Sequence, residues 1–191
     1  MKSWLAVVKL TGREEASDAA WLAGDLPMYS NHMSRRFEQV AEKFRPVDAN
    51  YEEKVRSSFA RQRFMDFIGA KLVEIHPGYC EIHLPYREEL SQQHGFFHAG
   101  VIGTLADNTG GYAAYSLMSA DSSVLTVEYK LNLLAPGNGD LLIARGQVIK
   151  PGRTLTICRS DIFVMKDGGE KLCAIATVTL MNMAGKPDKP E

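Results

Sequence analysis

The stretch from Leu90 to Thr126 spans 37 residues and contains two charged side chains, Asp107 and Asp121. The whole chain of 191 residues carries 22 basic and 23 acidic side chains, so an even spread would put about nine in that stretch. Within the void, Val101, Ile102, Leu105, Ala106, Tyr112, Ala113, Leu117 and Met118 recur at helical spacing. Glycines and alanines fill most positions between them. A surface helix shows a polar stripe, and a helix without one is buried all round. The rest of the chain must therefore wrap this segment, which limits the possible architectures to layers built around one central helix.

The flanking patterns are consistent with that wrapping. Asp48, followed by Glu52 and Glu53, predicts a helix start, and Gly69 its end. Val55, Phe59, Arg63 and Phe67 share one face of that predicted helix, and Phe59, Phe64, Phe67 and Ile68 supply its buried side. Residues 71–76 and 79–84 alternate apolar and polar around Pro77-Gly78, predicting a hairpin with one wet face on which His76 and His83 are surface residues. After Ser122 the pattern is all strand: 123–134, 140–150, 153–166 and 171–183, separated by turns rich in Gly, Pro and Asp. The expected fold is α+β, a long central helix wrapped by a curved antiparallel sheet of about six strands. This domain covers 48–183. Residues 1–47 read as a helical appendage, with candidate helices at 17–22 and 34–44, and 184–191 as a flexible tail.

Composition excludes several functions. With 45% hydrophobic and 24% charged residues the chain is ordinary globular material. A net charge of −1 offers no basic footprint for nucleic acid. The longest charge-free run, Leu90 to Ala106, is too short and too polar to span a bilayer, and the apolar run near the N-terminus is too short for a signal peptide core. Cys80, Cys158 and Cys173 cannot all pair, and they read as reduced core residues of a cytoplasmic protein. Cys158 and Cys173 lie in strands with no histidine in register, which argues against a nucleophilic role. His94 and His98 have the spacing of a metal pair but no third ligand nearby, so no metal is expected.

Two features of the buried helix carry chemistry. Its start, near His98 to Gly100, presents free backbone N–H groups among small residues, an environment that suits an anion or a developing oxyanion. Its interior holds Asp107, a carboxylate in an apolar segment that needs a partner or a function. A structural alternative is that Asn108 or Thr109 satisfies it. Asp107 lies eight residues beyond Ala99, roughly 12 Å along the helix. One carbonyl cannot reach both. If both act on one atom, the carboxylate comes from a second subunit with its helix antiparallel, giving a two-fold dimer with shared sites.

The run Gln92-x-His94-Gly95-x-x-His98-Ala99-Gly100-Val-Ile-x-x-Leu105-Ala106-Asp107-Asn108 resembles the signature of PaaI-type hotdog-fold acyl-CoA thioesterases. Thr126 to Pro136 resembles that family's long central strand, and Lys150 to Thr154 the hairpin turn that follows; the likeness covers about 48–183. The resemblance implies that Asp107 is the catalytic base or nucleophile. It implies that Ala99 offers the N–H that polarises the thioester carbonyl, with alanine standing for the usual glycine. Gln92 stands for an asparagine that orients the carbonyl or the water, His98 is the histidine just before the helix, and Thr126 helps position the water. Gly100 and Asn108 are expected to contact substrate. Lys150 and Arg153, with Arg145, are candidates for the coenzyme A phosphates, although solvated turn charges explain them equally well. Phe96, Phe97, Tyr112 and Tyr115 suit either an aromatic or medium-chain acyl pocket or plain core packing. The resemblance further implies an acyl-CoA substrate, no separate cofactor, and a homodimer, expected as a dimer of dimers (a homotetramer). Two other readings stand beside it. One is a hotdog hydratase or dehydratase, whose D-x-N-P-x-H element is absent. The other is a non-catalytic acyl-CoA sensor that would not need Asp107.

Overall fold

The computed structural model describes residues 43–188. The helices expected at 17–22 and 34–44 lie outside these residues, except for the last two positions of the second. The described chain begins with two short helices, α1 (Tyr51–Ala60) and α2 (Arg63–Ile68). Strands β1 (Lys71–His76) and β2 (Tyr79–Pro85) follow, then helix α3 (Ala99–Tyr115). Four strands complete it: β3 (Ser123–Leu133), β4 (Leu141–Lys150), β5 (Leu155–Lys166) and β6 (Gly169–Met183). The six strands form one antiparallel sheet in the order β1-β2-β4-β5-β6-β3. Among the described residues no helix is long and apolar enough to cross a membrane.

The strand register explains how the sheet receives α3. Residues paired across antiparallel strands point to the same face. One row runs Ile82, Ala144, Ile162, Ala174, and the next runs Cys80, Gly146, Ser160, Ala176. The members of the first row are all fully buried against the helix. The second row is made of small residues because the helix comes closest there. A Cβ at Gly146 would lie 2.2 Å from the carbonyl oxygen of Thr109, and one at Gly110 would lie 3.0 Å from a methyl of Val178. Ser160 occupies the same row and donates a hydrogen bond to the Ala106 carbonyl at 2.7 Å, while accepting one from the Thr109 hydroxyl at 3.1 Å. The helix is thus held to the sheet by a polar stitch on the turn that carries Asp107.

The far end of α3 is tied down by residues distant in sequence. Lys54 of α1 donates to the carbonyls of Met118 and Ser119, at 2.5 and 3.3 Å, in the turn after α3. Its ammonium lies over the Tyr115 ring and 3.5 Å from Asp48. A cation at a helix C-terminus complements the partial negative charge of the last carbonyls. Ser116 accepts from the backbone N–H of Gly78, which joins the β1–β2 turn to the same point.

Three expectations need correction. The single helix expected from Asp48 to Gly69 is two helices, because Gln62 leaves the helical conformation (φ −76°, ψ 93°) and sends its carboxamide to the Tyr112 hydroxyl at 2.8 Å. A tertiary hydrogen bond thus overrides local helical preference. The break also re-phases the second helix. Met65 and Ile68 turn inward, whereas Phe64 and Phe67, expected to be buried, are 56% and 73% exposed. Second, the N-cap of α1 is Asn50 rather than Asp48, which instead accepts from the Asn50 N–H at 2.9 Å. Gly69 does end the pair of helices, in the left-handed region at φ 81°.

Third, the hairpin's outer face is not simply wet. Glu81 is fully buried on the side away from α3. It accepts from Tyr79 and from Arg145 Nε, each at 2.8 Å, and pairs with His83 at 2.6 Å. Burial alone would raise the Glu81 carboxyl, but the His83 hydrogen bond and the Arg145 guanidinium outweigh it and hold the group at about 2. Arg145 also grips Glu170 with both terminal nitrogens, at 2.6 and 2.7 Å. It is therefore committed to the protein rather than to a phosphate.

The Gly146 contact gives a direct test of helix seating. Gly146→Ala is expected to destabilise the fold by about 2–3 kcal/mol, because the added methyl meets backbone that cannot move independently. Urea unfolding monitored by circular dichroism measures it.

Candidate functional site

Asp107 is the ninth residue of α3 and is half-buried. Neither neighbour proposed for it is its partner. Asn108 donates to the Thr104 carbonyl at 3.0 Å, and Thr109 to the Leu105 carbonyl at 2.8 Å. Thr126 meets Asp107 instead, its hydroxyl donating to Oδ1 at 2.7 Å. Thr126 pairs with Leu180, a core residue, so its side chain is on the helix side of β3, where it remains exposed at the sheet edge. Burial raises the Asp107 carboxyl above its ordinary value, and the Thr126 hydrogen bond opposes that rise without cancelling it. Oδ2 has no hydrogen bond from the described residues and opens into a cleft.

That cleft has a volume of about 410 Å³, within the range of small-molecule sites. Its floor is the stripe Asp107, Asn108, Gly111 and Tyr112 on α3. One wall is β3, from Ser123 to Thr126. The opposite wall is the α1–α2 junction, with Ser58, Arg61 and Gln62, and Pro187 and Asp188 of the tail complete the lining. Sequence reasoning missed this second wall. The only signal was the polar run Arg61-Gln62 inside a pattern read as one continuous helix. The Tyr112 hydroxyl accepts from Gln62 and lies 3.4 Å from Ser58 Oγ. Burial pushes the phenol up to about 12, so it stays protonated at neutral pH.

The other sequence-predicted residues gather at the opposite end of α3. His98 is the N-cap and its Nδ1 accepts from the Gly100 N–H at 2.9 Å. That bond fixes the tautomer, since an accepting Nδ1 leaves the proton on Nε2. Val101 and Ile102 both donate to the His98 carbonyl, at 3.0 and 3.2 Å. The Ala99 N–H is the one in the first turn that has no partner among the described residues. The amide expected of Gly100 is already taken by His98.

Gln92 anchors the loop before the helix. Its Oε1 accepts from the His94 N–H, its own N–H donates to the Phe96 carbonyl at 2.9 Å, and Gly95 closes the turn at φ 76°. The Gln92 oxygen is therefore occupied and Nε2 is the group left to donate outward. Phe97 and His98 then dock the loop, donating to the carbonyls of Gly137 and Leu90 at 2.9 Å each. Phe97 packs edge-on against Tyr86 in the core, and Tyr112 and Tyr115 are likewise buried.

The structure thus brings Asp107, Asn108 and Thr126 together and keeps Gln92, His98, Ala99 and Gly100 apart from them. Ala99 and Asp107 belong to one unbroken helix, roughly 12 Å apart along its axis. Lys150 ends β4 and Arg153 lies in the β4–β5 turn; both are exposed and neither lines the cleft. Among the described residues no three His, Cys, Asp or Glu side chains come together in a way that could hold a metal ion.

A long helix whose one charged side chain is Asp107, packed on a six-stranded antiparallel sheet with a free amide at its start, defines the hotdog fold and a hydrolytic type of site. The thioesterase superfamily profile matches residues 94–179. The crystal structure of a thioesterase family protein from Silicibacter pomeroyi is 47% identical, covers 71% of this chain and 99% of its own, and superposes with a TM-score of 0.70. A 1,4-dihydroxy-2-naphthoyl-CoA hydrolase of Listeria monocytogenes is 27% identical over 59% of this chain and 89% of its own. The PaaI protein of E. coli, from the phenylacetic acid degradation operon, shares the fold at a TM-score of 0.64 and 18% identity, covering 72% of this chain and 96% of its own. The chain belongs to the thioesterase superfamily. It is a thioester hydrolase with the hotdog fold.

The Asp107 environment makes a prediction independent of turnover. Carboxyl carbon shifts followed by NMR should give Asp107 a midpoint above the ordinary aspartate value. In Thr126→Val the midpoint should move further up, because the hydroxyl that favours the ionised form is gone while the burial remains.

Proposed function

We propose that the chain hydrolyses an acyl-CoA with a water activated by Asp107, and that each active site is built from two subunits. The observation that carries this reading is the separation on α3 between the free Ala99 N–H and the free Oδ2 of Asp107. A dimer with antiparallel α3 helices brings the N–H of one subunit beside the carboxylate of the other.

The open edge of the sheet supports such pairing. β3 is a terminal strand, and its Leu125, Val127, Tyr129 and Leu133 are 57%, 52%, 48% and 53% exposed. A long edge strand with exposed apolar side chains is a template for a further strand. A second β3 across a two-fold axis would cover it and set the two α3 helices side by side. The dimer of dimers expected from the family resemblance belongs to the same reading.

In this scheme the thioester carbonyl accepts from Ala99 N–H and from Gln92 Nε2. Asp107 Oδ2 takes a proton as the water oxygen attacks the carbonyl carbon. The oxyanion is held by the same donors, and its collapse breaks the C–S bond. The proton on Asp107 then passes to the departing thiolate. Thr126 holds Oδ1 so that Oδ2 faces the water. A carboxylate raised by burial is a stronger base than one in water, which suits this role. Direct attack by Asp107 is the alternative use of the same oxygen. Asn108 lines the cleft beside it, and the His98 cap keeps Gly100 and the start of α3 in place.

The Listeria relative is named for an aromatic acyl-CoA, and the Tyr112 ring beside the cleft suits an aromatic or a short to medium-chain acyl group here. Lys150 and Arg153 have side chains without hydrogen bonds from the described residues. β5 and β6 lie between β4 and β3 in the sheet, and the exposed Lys150 and Arg153 are open to contact with coenzyme A phosphates. A cytoplasmic location goes with the three free, buried cysteines.

Thiol release from a panel of acyl-CoAs tests the reading. Asp107→Asn should lower turnover by roughly a thousandfold while leaving acyl-CoA binding in place. Mixed dimers of Asp107→Asn chains with Gln92→Ala chains should regain activity, since one of their two sites is then intact; no regain would sink the shared site. Tight binding with no turnover by the wild type would favour the sensor.

A further inference from the structure

The tail after β6 does something the catalytic reading does not require. β6 ends at Met183, paired with Ser123 at the start of β3. A turn then follows, with Gly185 at φ 71° and the Lys186 N–H donating to the Met183 carbonyl at 3.1 Å. Pro187 and Asp188 leave this turn, cross to the α1–α2 junction and line the cleft that holds Asp107.

The tail is gripped there. Arg61 donates through one terminal nitrogen to the Asp188 carbonyl at 2.7 Å and to its carboxylate at 2.9 Å. The other terminal nitrogen of Arg61 is anchored on the carbonyl and hydroxyl of Ser57, at 3.0 and 2.8 Å. The Ser58 hydroxyl also donates to the Asp188 carboxylate. The donors run in one direction: Gln62 to the Tyr112 hydroxyl, Tyr112 to Ser58, and Ser58 to Asp188. The carboxylate is the acceptor on which the series ends. The helix break at Gln62 is what places both Arg61 and Gln62 at this wall.

We propose that Pro187 and Asp188, latched by Arg61 and Ser58, form the far wall of the acyl-binding part of the cleft and set the size of acyl group that fits. This rests on the thioesterase reading and assigns the tail a role in its selectivity. Asp107 and Tyr112 are five residues apart, roughly 7–8 Å along α3. With the reacting carbonyl at Asp107 and the latch beyond Tyr112, the closed cleft holds one ring or a short chain. A longer chain must displace the tail or stop short of it. An opened wall removes that limit, and because Pro187 and Asp188 lie beyond the end of β6 they can move without unfolding the sheet.

The test compares kcat/KM across a series from butanoyl-CoA to palmitoyl-CoA for the wild type, for a chain ended after Lys186, and for Arg61→Ala. Thermal melts confirm that each variant is folded. Both variants should raise the ratio of long-chain to short-chain kcat/KM by roughly tenfold or more, the scale on which pocket size discriminates apolar substrates. The charge-swapped pair Arg61→Asp with Asp188→Arg should move the ratio back toward the wild type. A folded variant of either kind that keeps the wild-type ratio overturns the proposal while leaving the thioesterase reading intact. A wild type that turns over no acyl-CoA overturns both.

Discussion

The contact between α3 and the middle of the sheet is the constraint on which everything else rests. Gly146 brings the backbone of β4 against the backbone of α3 at Thr109, and Gly110 returns the favour toward Val178. At that separation the helix has no freedom to roll or slide without a clash. Ser160 converts the close approach into a fixed orientation through the Ala106 carbonyl and the Thr109 hydroxyl. Asp107 sits between those two residues in sequence, so its direction is decided by a sheet row it does not touch. The helix around it carries no other charge, which leaves water few places to reach the stitch and weaken it.

A rigid helix with a single charged side chain can separate two chemical tasks because its ends and its middle are different environments. The start of α3 is a place of backbone donors: the His98 ring takes the Gly100 amide, the His98 carbonyl takes those of Val101 and Ile102, and Ala99 is left. The middle is a place of acceptors: Asp107 shares one oxygen with Thr126 and shows the other to the cleft. Nothing on the helix lets these meet within one subunit. β3 is likewise bare along the sheet edge, and the proposed symmetric association would meet both needs at once.

The sequence shows the buried helix plainly, because the absence of charge over so long a run has few other meanings, and it shows the strands by their alternation and turn residues. The parts it hides are those decided by distant partners. Asp107 is satisfied by Thr126, nineteen residues away and on a strand, whereas a local reading looks to its neighbours. The split between α1 and α2 has no glycine or proline to announce it; Gln62 breaks the helix to reach Tyr112, fifty residues further on. That break turned Phe64 and Phe67 outward when their spacing on one continuous helix pointed inward. The second wall of the cleft went unseen for the same reason. The positions of His98 and Ala99 at the helix start were legible through family resemblance, but which amide stays free was not, since it depends on how the imidazole turns.

The carboxylate on the far side of the sheet has a consequence of a different kind. Glu81 is surrounded by a complete set of donors drawn from β2 and β4, and Arg145 stands directly opposite it in the ladder. Sliding β2 by a single residue would carry Glu81 through the sheet to the apolar side and leave Arg145 buried with half its partners gone. A purely aliphatic pairing at this position would tolerate several alignments of similar energy. The ion pair admits one. Glu81 and Arg145 act as a key for strand alignment, and through β4 they fix where Gly146 falls beneath the helix.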